Sequence, residues 1–168
     1  YAIPWKATIP SMYPGVDTSL FPYSYNLDKA KELLEQTEYA GGFEVDLYYN
    51  ADLIQHEITA VLIKNSLASI GIKVNLRKTP AGAFVSGVLA RDFPFSLWPD
   101  YPCVPDPFYS YELMYLSTNY HCYENYCNLK VDEMLIRARG VVDLEERYAF
   151  AKEVEKICLL YTSPSPRD

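Results

Sequence analysis

The residues best able to do chemistry in this chain lie in one stretch, residues 92–108, with the sequence DFPFSLWPDYPCVPDPF. It carries two carboxylates, Asp100 and Asp106, together with Trp98 and Tyr101, and Tyr109 follows just beyond. Pro99, Pro102, Pro105 and Pro107 are spread among them. Proline fixes φ and removes a backbone donor, so this loop continues neither a helix nor a central strand. A stiff loop at the end of a buried strand can hold such side chains as a preformed ligand-contacting surface. Asp100 is expected to pair with a cationic group in a water-poor cleft, where a charge-assisted hydrogen bond is strong. Its alternative is a loop acid that bonds nearby backbone N–H groups. Asp106 precedes Pro107, a favoured first helical residue, and is expected to cap a helix there. Trp98 is expected either to wall the cleft or to plug a core. Tyr101 and Tyr109 are further cleft candidates.

Other chemistries find less support. His121, Cys122 and Cys127, with Glu124 between them, invite a metal, but the spacing fits no standard zinc pattern and no second Cys/His pair accompanies them. A local disulfide or free thiols is the stronger reading; Cys103, Cys122 and Cys127 are an odd set, which allows one disulfide and one free thiol. His56, beside Glu57 in a helical pattern, is expected to be solvated. Ser96 lacks the glycine-flanked elbow of a hydrolase nucleophile, and no glycine-rich phosphate loop exists. No catalytic residue, metal or cofactor is therefore expected, and the chain is not expected to be an enzyme.

The elements that must position these residues follow from period and punctuation. The chain has 168 residues, 49% of them hydrophobic, enough for one domain or one lobe. Its net charge of −7, with no basic patch, argues against nucleic acid as a partner. No apolar run approaches the roughly 18 residues of a membrane span. The 16 tyrosines crowd residues 101–126, where partly buried packing with wet hydroxyls is expected. Residues 1–27 lack a period and read as an extended crossover segment. Asn26 or Asp28 can cap a helix over 28–37, with Ala30, Leu33 and Leu34 inward. Residues 43–50 alternate as a half-buried strand, with Phe43, Val45, Leu47 and Tyr49 on one face. Residues 53–70 form a long helix whose buried stripe is expected at Ile54, Ile58, Val61, Leu62, Leu67 and Ile70, with Gly71 as its terminal cap. A strand over 72–76 completes a βαβ unit and predicts a parallel pair. A helix over 81–91 and an apolar third strand over 93–98 follow. Helices are expected over 107–116, 131–139 and 144–157, the last capped by Asp143 with Glu146 three residues on.

The last segment, residues 158–168, reads CLLYTSPSPRD. Its residues match a translated sequencing adapter, so it is expected to be foreign to the native protein and is set aside from fold reasoning. The alternative is a disordered Ser/Pro tail. The chain begins at Tyr1 and is expected to be an internal fragment, truncated at both ends.

The order of blocks is specific. The run Asp28-Lys29-Ala30-Lys31-Glu32-Leu33-Leu34 precedes a glycine break and the strand Phe43-Glu44-Val45-Asp46-Leu47. Ile70-Gly71-Ile72-Lys73-Val74-Asn75-Leu76 closes the long helix. Asp92-Phe93, Pro105-Asp106-Pro107, Asn128-Leu129-Lys130-Val131-Asp132-Glu133-Met134-Leu135 and Glu145-Glu146-Arg147 follow in turn. Over residues 28–157 this resembles the C-terminal lobe of the extracellular solute-binding proteins of ABC importers, in the oligopeptide, dipeptide and nickel class known as family 5. The resemblance implies an α/β fold, a periplasmic-binding-protein-like lobe with a βαβ-based mixed sheet flanked by helices. It implies one half of a two-lobe clamp that captures a small peptide or similar solute and delivers it to an ABC permease in the membrane. It further implies a monomer in the periplasm or outside the cell, with lipid anchoring common in the family. In peptide-binding members the loop after the third strand runs Trp-x-x-Asp-Tyr-x-x-Pro, and its Asp receives the peptide ammonium. Trp98-Pro99-Asp100-Tyr101 matches with one residue fewer, which puts Asp100 in that role. Counting from Asp92-Phe93 to Asp106-Pro107 puts Cys103 there instead. Trp98, Asp100, Tyr101 and Tyr109 are the expected ligand contacts. The other functions weighed are a fragment of a secreted hydrolase and a small metal-binding module at His121, Cys122 and Cys127.

Overall fold

A computed structural model describes residues 4–99, 104–123 and 126–161, with backbone alone at 160 and 161. Asp100, Tyr101, Cys103 and Glu124 lie outside the described residues. The chain forms two compact units, Ser24–Asp100 and a second built from Tyr1–Tyr23 with Tyr101–Asp168.

The unit Ser24–Asp100 opens with α1 (Leu27–Glu35), whose first turn is held by Asn26: its side-chain oxygen accepts from Lys29 N at 2.9 Å. Then come β1 (Glu44–Asn50), α2 (Ile54–Ala68), β2 (Lys73–Thr79), α3 (Ala81–Ala90) and β3 (Ser96–Leu97). The sheet order is β2-β1-β3, with both pairings parallel. β1 pairs along its whole length with β2, from Glu44 opposite Lys73 to Asn50 opposite Thr79. β3 pairs only at Tyr48–Ser96 and Tyr49–Leu97, so the third strand expected over 93–98 is cut to two residues. Pro94 has no N–H to give a ladder. Phe93 instead lays its ring flat on Tyr48, centroids 4.0 Å apart.

Alternation along β1 sorts the helices. Leu47 and Tyr49 are buried with Val74 of β2 and Ala60 of α2, so α2 covers that face. Tyr48 points to the other face, against Phe93, and the Phe93 ring lies where a Cβ on Gly87 of α3 would stand. α3 therefore covers the opposite face. Along β1 and β2 the Tyr48 face continues as a ladder of charge. Lys73 Nζ lies 2.9 Å from Glu44, and Arg77 Nε lies 2.8 Å from Asp46. Asn75 bridges both acids at 2.7 and 3.0 Å. Hydrogen bonds from Arg77 and Asn75 hold the Asp46 carboxyl below its usual range.

Two expectations about helix faces are corrected. Ile54, Ile58, Val61 and Leu62 are exposed, at 42–62%. α2 buries His56 and Ala60 and packs Ile63 and Leu67 inward. Positions 56, 60, 63 and 67 obey the helical period as well as the expected stripe does. Small Ala60 lets the helix approach the sheet, so packing chose between two stripes that period alone cannot separate. In α1, Leu33 is exposed, whereas Ala30 and Leu34 are partly covered. Gly71 closes α2 as expected: it adopts φ +89° and donates its N–H to the Ala68 carbonyl at 3.1 Å, while Ile72 N–H returns to the Leu67 carbonyl at 3.0 Å. The Gly71 carbonyl oxygen lies 2.0 Å from where a Cβ on Gly42 would stand, and Gly42 itself has φ +83°. The two glycines let the starts of β1 and β2 come together.

In the second unit, residues 4–20 pack against α4 (Pro107–Tyr115), α5 (Leu129–Ala138) and α6 (Leu144–Tyr161). Ile9, Phe108, Tyr111, Val131, Leu135 and Val154 are among its core side chains. α5 is capped by Asn128, which accepts from Lys130 N at 3.1 Å. α6 starts after Asp143, whose Oδ1 accepts from Glu146 N at 2.9 Å as the cap pattern required. The helix expected to stop at Ile157 continues to Tyr161, with Cys158 and Leu159 buried.

At the centre of this unit Glu155 is buried, 1% exposed. Its carboxylate accepts from Thr8 N and Thr8 Oγ1, both at 2.7 Å, and from Tyr111 OH at 2.6 Å. Burial and the adjacent Glu155 raise the Tyr111 phenol far above its ordinary value, so it stays a donor.

Two stability measurements test this architecture. Gly42→Ala should lower the unfolding free energy, read by urea denaturation, by about 2 kcal/mol or more, since the added Cβ meets backbone at a positive φ. Tyr111→Phe should cost about 1.5–3 kcal/mol by removing one of the two donors to a buried carboxylate oxygen, which keeps only Thr8 Oγ1. A loss under 0.5 kcal/mol in either variant would contradict the corresponding contact, on the roughly ±0.5 kcal/mol scale of ordinary surface changes.

Candidate functional site

In an open parallel sheet, ligands bind outside the carboxyl ends of the strands, where the order reverses. The order β2-β1-β3 places that switch point between the ends of β1 and β3. Trp98 is the first residue after β3 and so stands at that edge. It is 38% exposed and stacks on Phe84 of α3, centroids 6.0 Å apart at 23°. Phe84 is 1% exposed and stacks in turn on Phe93, also at 6.0 Å. One face of the indole rests on a core ring while the residue remains partly open to solvent.

The stack has a third support. His56, in the first turn of α2, is 8% exposed and lies edge-on to Phe84, centroids 6.3 Å apart at 71°. α2 and α3 cover opposite faces of the sheet. A contact between their first turns is made past the strand ends, at the carboxyl edge. His56 Nδ1 is buried with no hydrogen-bond partner, and desolvation lowers the pKa of the ring. The expectation that His56 is solvated is overturned. Its neighbour Glu57 suggested a wet face, but Glu57 turns outward to Lys78, 2.8 Å away.

Tyr109 belongs to the other unit. On α4 it lines a cleft of about 330 Å³ with Val104, Asp106, Phe108, Glu112, Arg139 and Arg147. Asp106 does what its place before Pro107 required: Oδ1 accepts from Phe108 N at 2.7 Å and caps α4. Its second oxygen binds Arg147 Nη2 at 2.8 Å. Arg147 Nη1 donates to the carbonyls of Ala138 and Val141 at 3.0 and 3.3 Å, and the guanidinium sits 4.8 Å over the Phe108 ring. One side chain thereby closes the end of α5, the start of α4 and the body of α6. Arg139 forks onto Glu112 through Nε and Nη2 at 3.1 and 2.9 Å. The cleft presents paired charges and aromatic rings, a lining suited to a polar solute. Sequence reasoning missed Arg139 and Arg147, because their partners lie 27 and 41 residues away. Asp100 and Tyr101, the other two expected contacts, lie outside the described residues.

The metal reading gains nothing from the geometry. His121 Nδ1 contacts the Tyr123 hydroxyl. Cys122 is buried and donates through Sγ to the Tyr126 carbonyl at 3.5 Å, whereas Cys127 is exposed. Among the described residues no three His, Cys, Asp or Glu side chains could share an ion. Nor is any described helix long and apolar enough to cross a membrane.

These features agree with what the chain resembles. Residues 1–122 match the family described as bacterial extracellular solute-binding proteins, family 5 Middle, and the chain belongs to that family. It is 30% identical to the Pseudomonas aeruginosa Di/tripeptide-binding protein 2, over 88% of this chain and 29% of that protein. It is 26% identical to the Haemophilus influenzae Heme-binding protein A, over 94% of this chain and 32% of the relative. Among solved structures, the periplasmic binding protein DppA of Helicobacter pylori, in complex with the peptide STSA, superposes with a TM-score of 0.82 at 26% identity. That match covers 91% of this chain and 30% of DppA. The substrate-binding protein CtaP of Listeria monocytogenes gives a TM-score of 0.83 at 22% identity, over 95% and 33% of the two chains, a likeness of fold. The chain therefore spans about a third of the length of these relatives.

Arg147→Met should destabilise the protein by about 2–3 kcal/mol, because it removes the cation from Asp106 Oδ2 and a donor from the Ala138 and Val141 carbonyls while keeping the apolar stem. Equal urea midpoints for variant and parent would show that Arg147 does not organise the cleft.

Proposed function

We propose that this chain is the solute-contacting C-terminal lobe of an ABC importer's binding protein, which captures peptides or similar small solutes for delivery to a membrane permease. In this reading residues 28–157 are the lobe and residues 1–27 the crossover into it. The protein works as a monomer in the periplasm or outside the cell, and it binds rather than transforms its solute. The observation that carries the reading is Trp98 at the carboxyl edge of a parallel sheet, at the switch point, in a chain of the family 5 solute-binding proteins. Asp100 and Tyr101, which follow Trp98 closely in the sequence, are further ligand contacts in this reading, and Asp100 supplies a carboxylate for a ligand ammonium. Tyr109 contributes from the charged cleft on α4. A peptide ligand is favoured by the relative named for di- and tripeptides and by the likeness to DppA solved with a tetrapeptide, STSA.

The test is a thermal-shift titration of the full-length protein with di- and tripeptides, with heme as the contrasting probe. A ligand present at 100 times its Kd stabilises the native state by about 2.7 kcal/mol and raises the melting temperature. Trp98→Ala should weaken peptide binding by about tenfold or more while the unliganded melting temperature changes little. A shift with heme and none with any peptide would reassign the solute. No shift with either probe would remove the solute-capture reading.

A further inference from the structure

We propose that His56 is a positioning residue for Trp98: its buried neutral imidazole braces Phe84, and Phe84 braces the indole that faces the solute. The inference rests on the carboxyl edge being the solute surface. Each of the three strands leads into one member of the set, with His56 in the helix after β1, Phe84 in the helix after β2 and Trp98 directly after β3. The rings follow one another at 6.3 and 6.0 Å. Phe84 is 1% exposed and has the Phe93 ring stacked at 6.0 Å as well, so it moves little on its own. His56 is the member whose chemistry can change. Its Nδ1 has no partner, so a second proton on the ring would be buried without an acceptor.

The surroundings offer that proton no compensation. On its own helix, Glu57 is engaged by Lys78 of β2 at 2.8 Å, and Asp52 in the preceding turn is exposed to water and does not act on the His56 proton. On β2, Arg77 is paired with Asp46. β1 contributes buried Tyr49 on the α2 side, and the first turn of α3, Ala81 to Phe84, carries no titratable group. Desolvation is the sole cause acting on the His56 proton. The sign follows: with its folded pKa depressed, His56 supports the fold in the neutral state. Stability declines as the pH drops below the unfolded value of 6.5 and levels off below the folded one. Acid therefore loosens the brace, and Trp98 with it.

The experiment uses the two tryptophans, Trp5 and Trp98. In a Trp5→Phe background, Trp98 emission is followed from about pH 8 to about pH 5, with far-UV circular dichroism as the folding control. The expected result is a red shift with a midpoint below 6.5. His56→Phe keeps a ring against Phe84 and cannot titrate; it should match the parent at neutral pH and lose the acid transition. His56→Ala should show the red shift already at neutral pH. An acid transition retained in His56→Phe, or Trp98 emission unaffected in His56→Ala, would overturn the proposal. Peptide affinity of the full-length protein, measured over the same range, separates the two claims. An intact ring relay without peptide binding would count against the solute assignment alone. Peptide binding with equal pH dependence in parent and His56→Phe would count against the relay alone.

Discussion

The burial of Glu155 is the constraint on which the chain's organisation turns. Removing a carboxylate from water costs several kcal/mol unless donors replace its hydration. Here the replacements are Thr8, 147 residues earlier, and Tyr111, 44 residues earlier. None is a cation, so the carboxylate is held by geometry: a backbone N–H, a hydroxyl and a phenol must all converge on α6. The first residues of the chain are thereby tied to its last helix. One unit is assembled from both ends of the sequence, and residues 24–100 are left to form a unit by themselves as an excursion between two halves of the other.

Within that excursion the central position of β1 decides the rest. A parallel sheet needs both faces covered. The alternation of Leu47 and Tyr49 against Tyr48 assigns α2 to one face and α3 to the other. The two helices then meet only beyond the strand ends, where His56 reaches Phe84. The same geometry that completes the hydrophobic cover builds the aromatic support under Trp98. A stacked indole on a buried phenylalanine is rigid beneath and open above.

The other unit uses charge where this one uses rings. Arg147 satisfies Asp106, two helix-end carbonyls and the face of Phe108, and it does so with its side chain mostly buried. Arginine suits this post because its planar fork stays charged and serves several acceptors at once. The Arg139–Glu112 pair beside it is more exposed and adds less to stability. Tyr109 stands among these pairs, so its environment is preorganised by bonds that were formed for the fold.

Much was legible in the sequence because it is local. Asn26, Asp106 and Asp143 cap helices where their spacing marks them, since a cap needs only the next three residues. The βαβ order, the parallel pair and the family followed from period and block order. Trp98 was legible as the residue that follows an apolar run, a feature that is itself local. What the sequence could not decide was which of two periodic stripes on α2 turns inward. That choice belongs to the sheet, which accepts small Ala60 against it and carries His56 inward with it. Nor could it pair Glu155 with Thr8, or Arg147 with Asp106. Partners that far apart meet only when the whole chain has closed, and a buried charge finds its donors in three dimensions rather than along the chain.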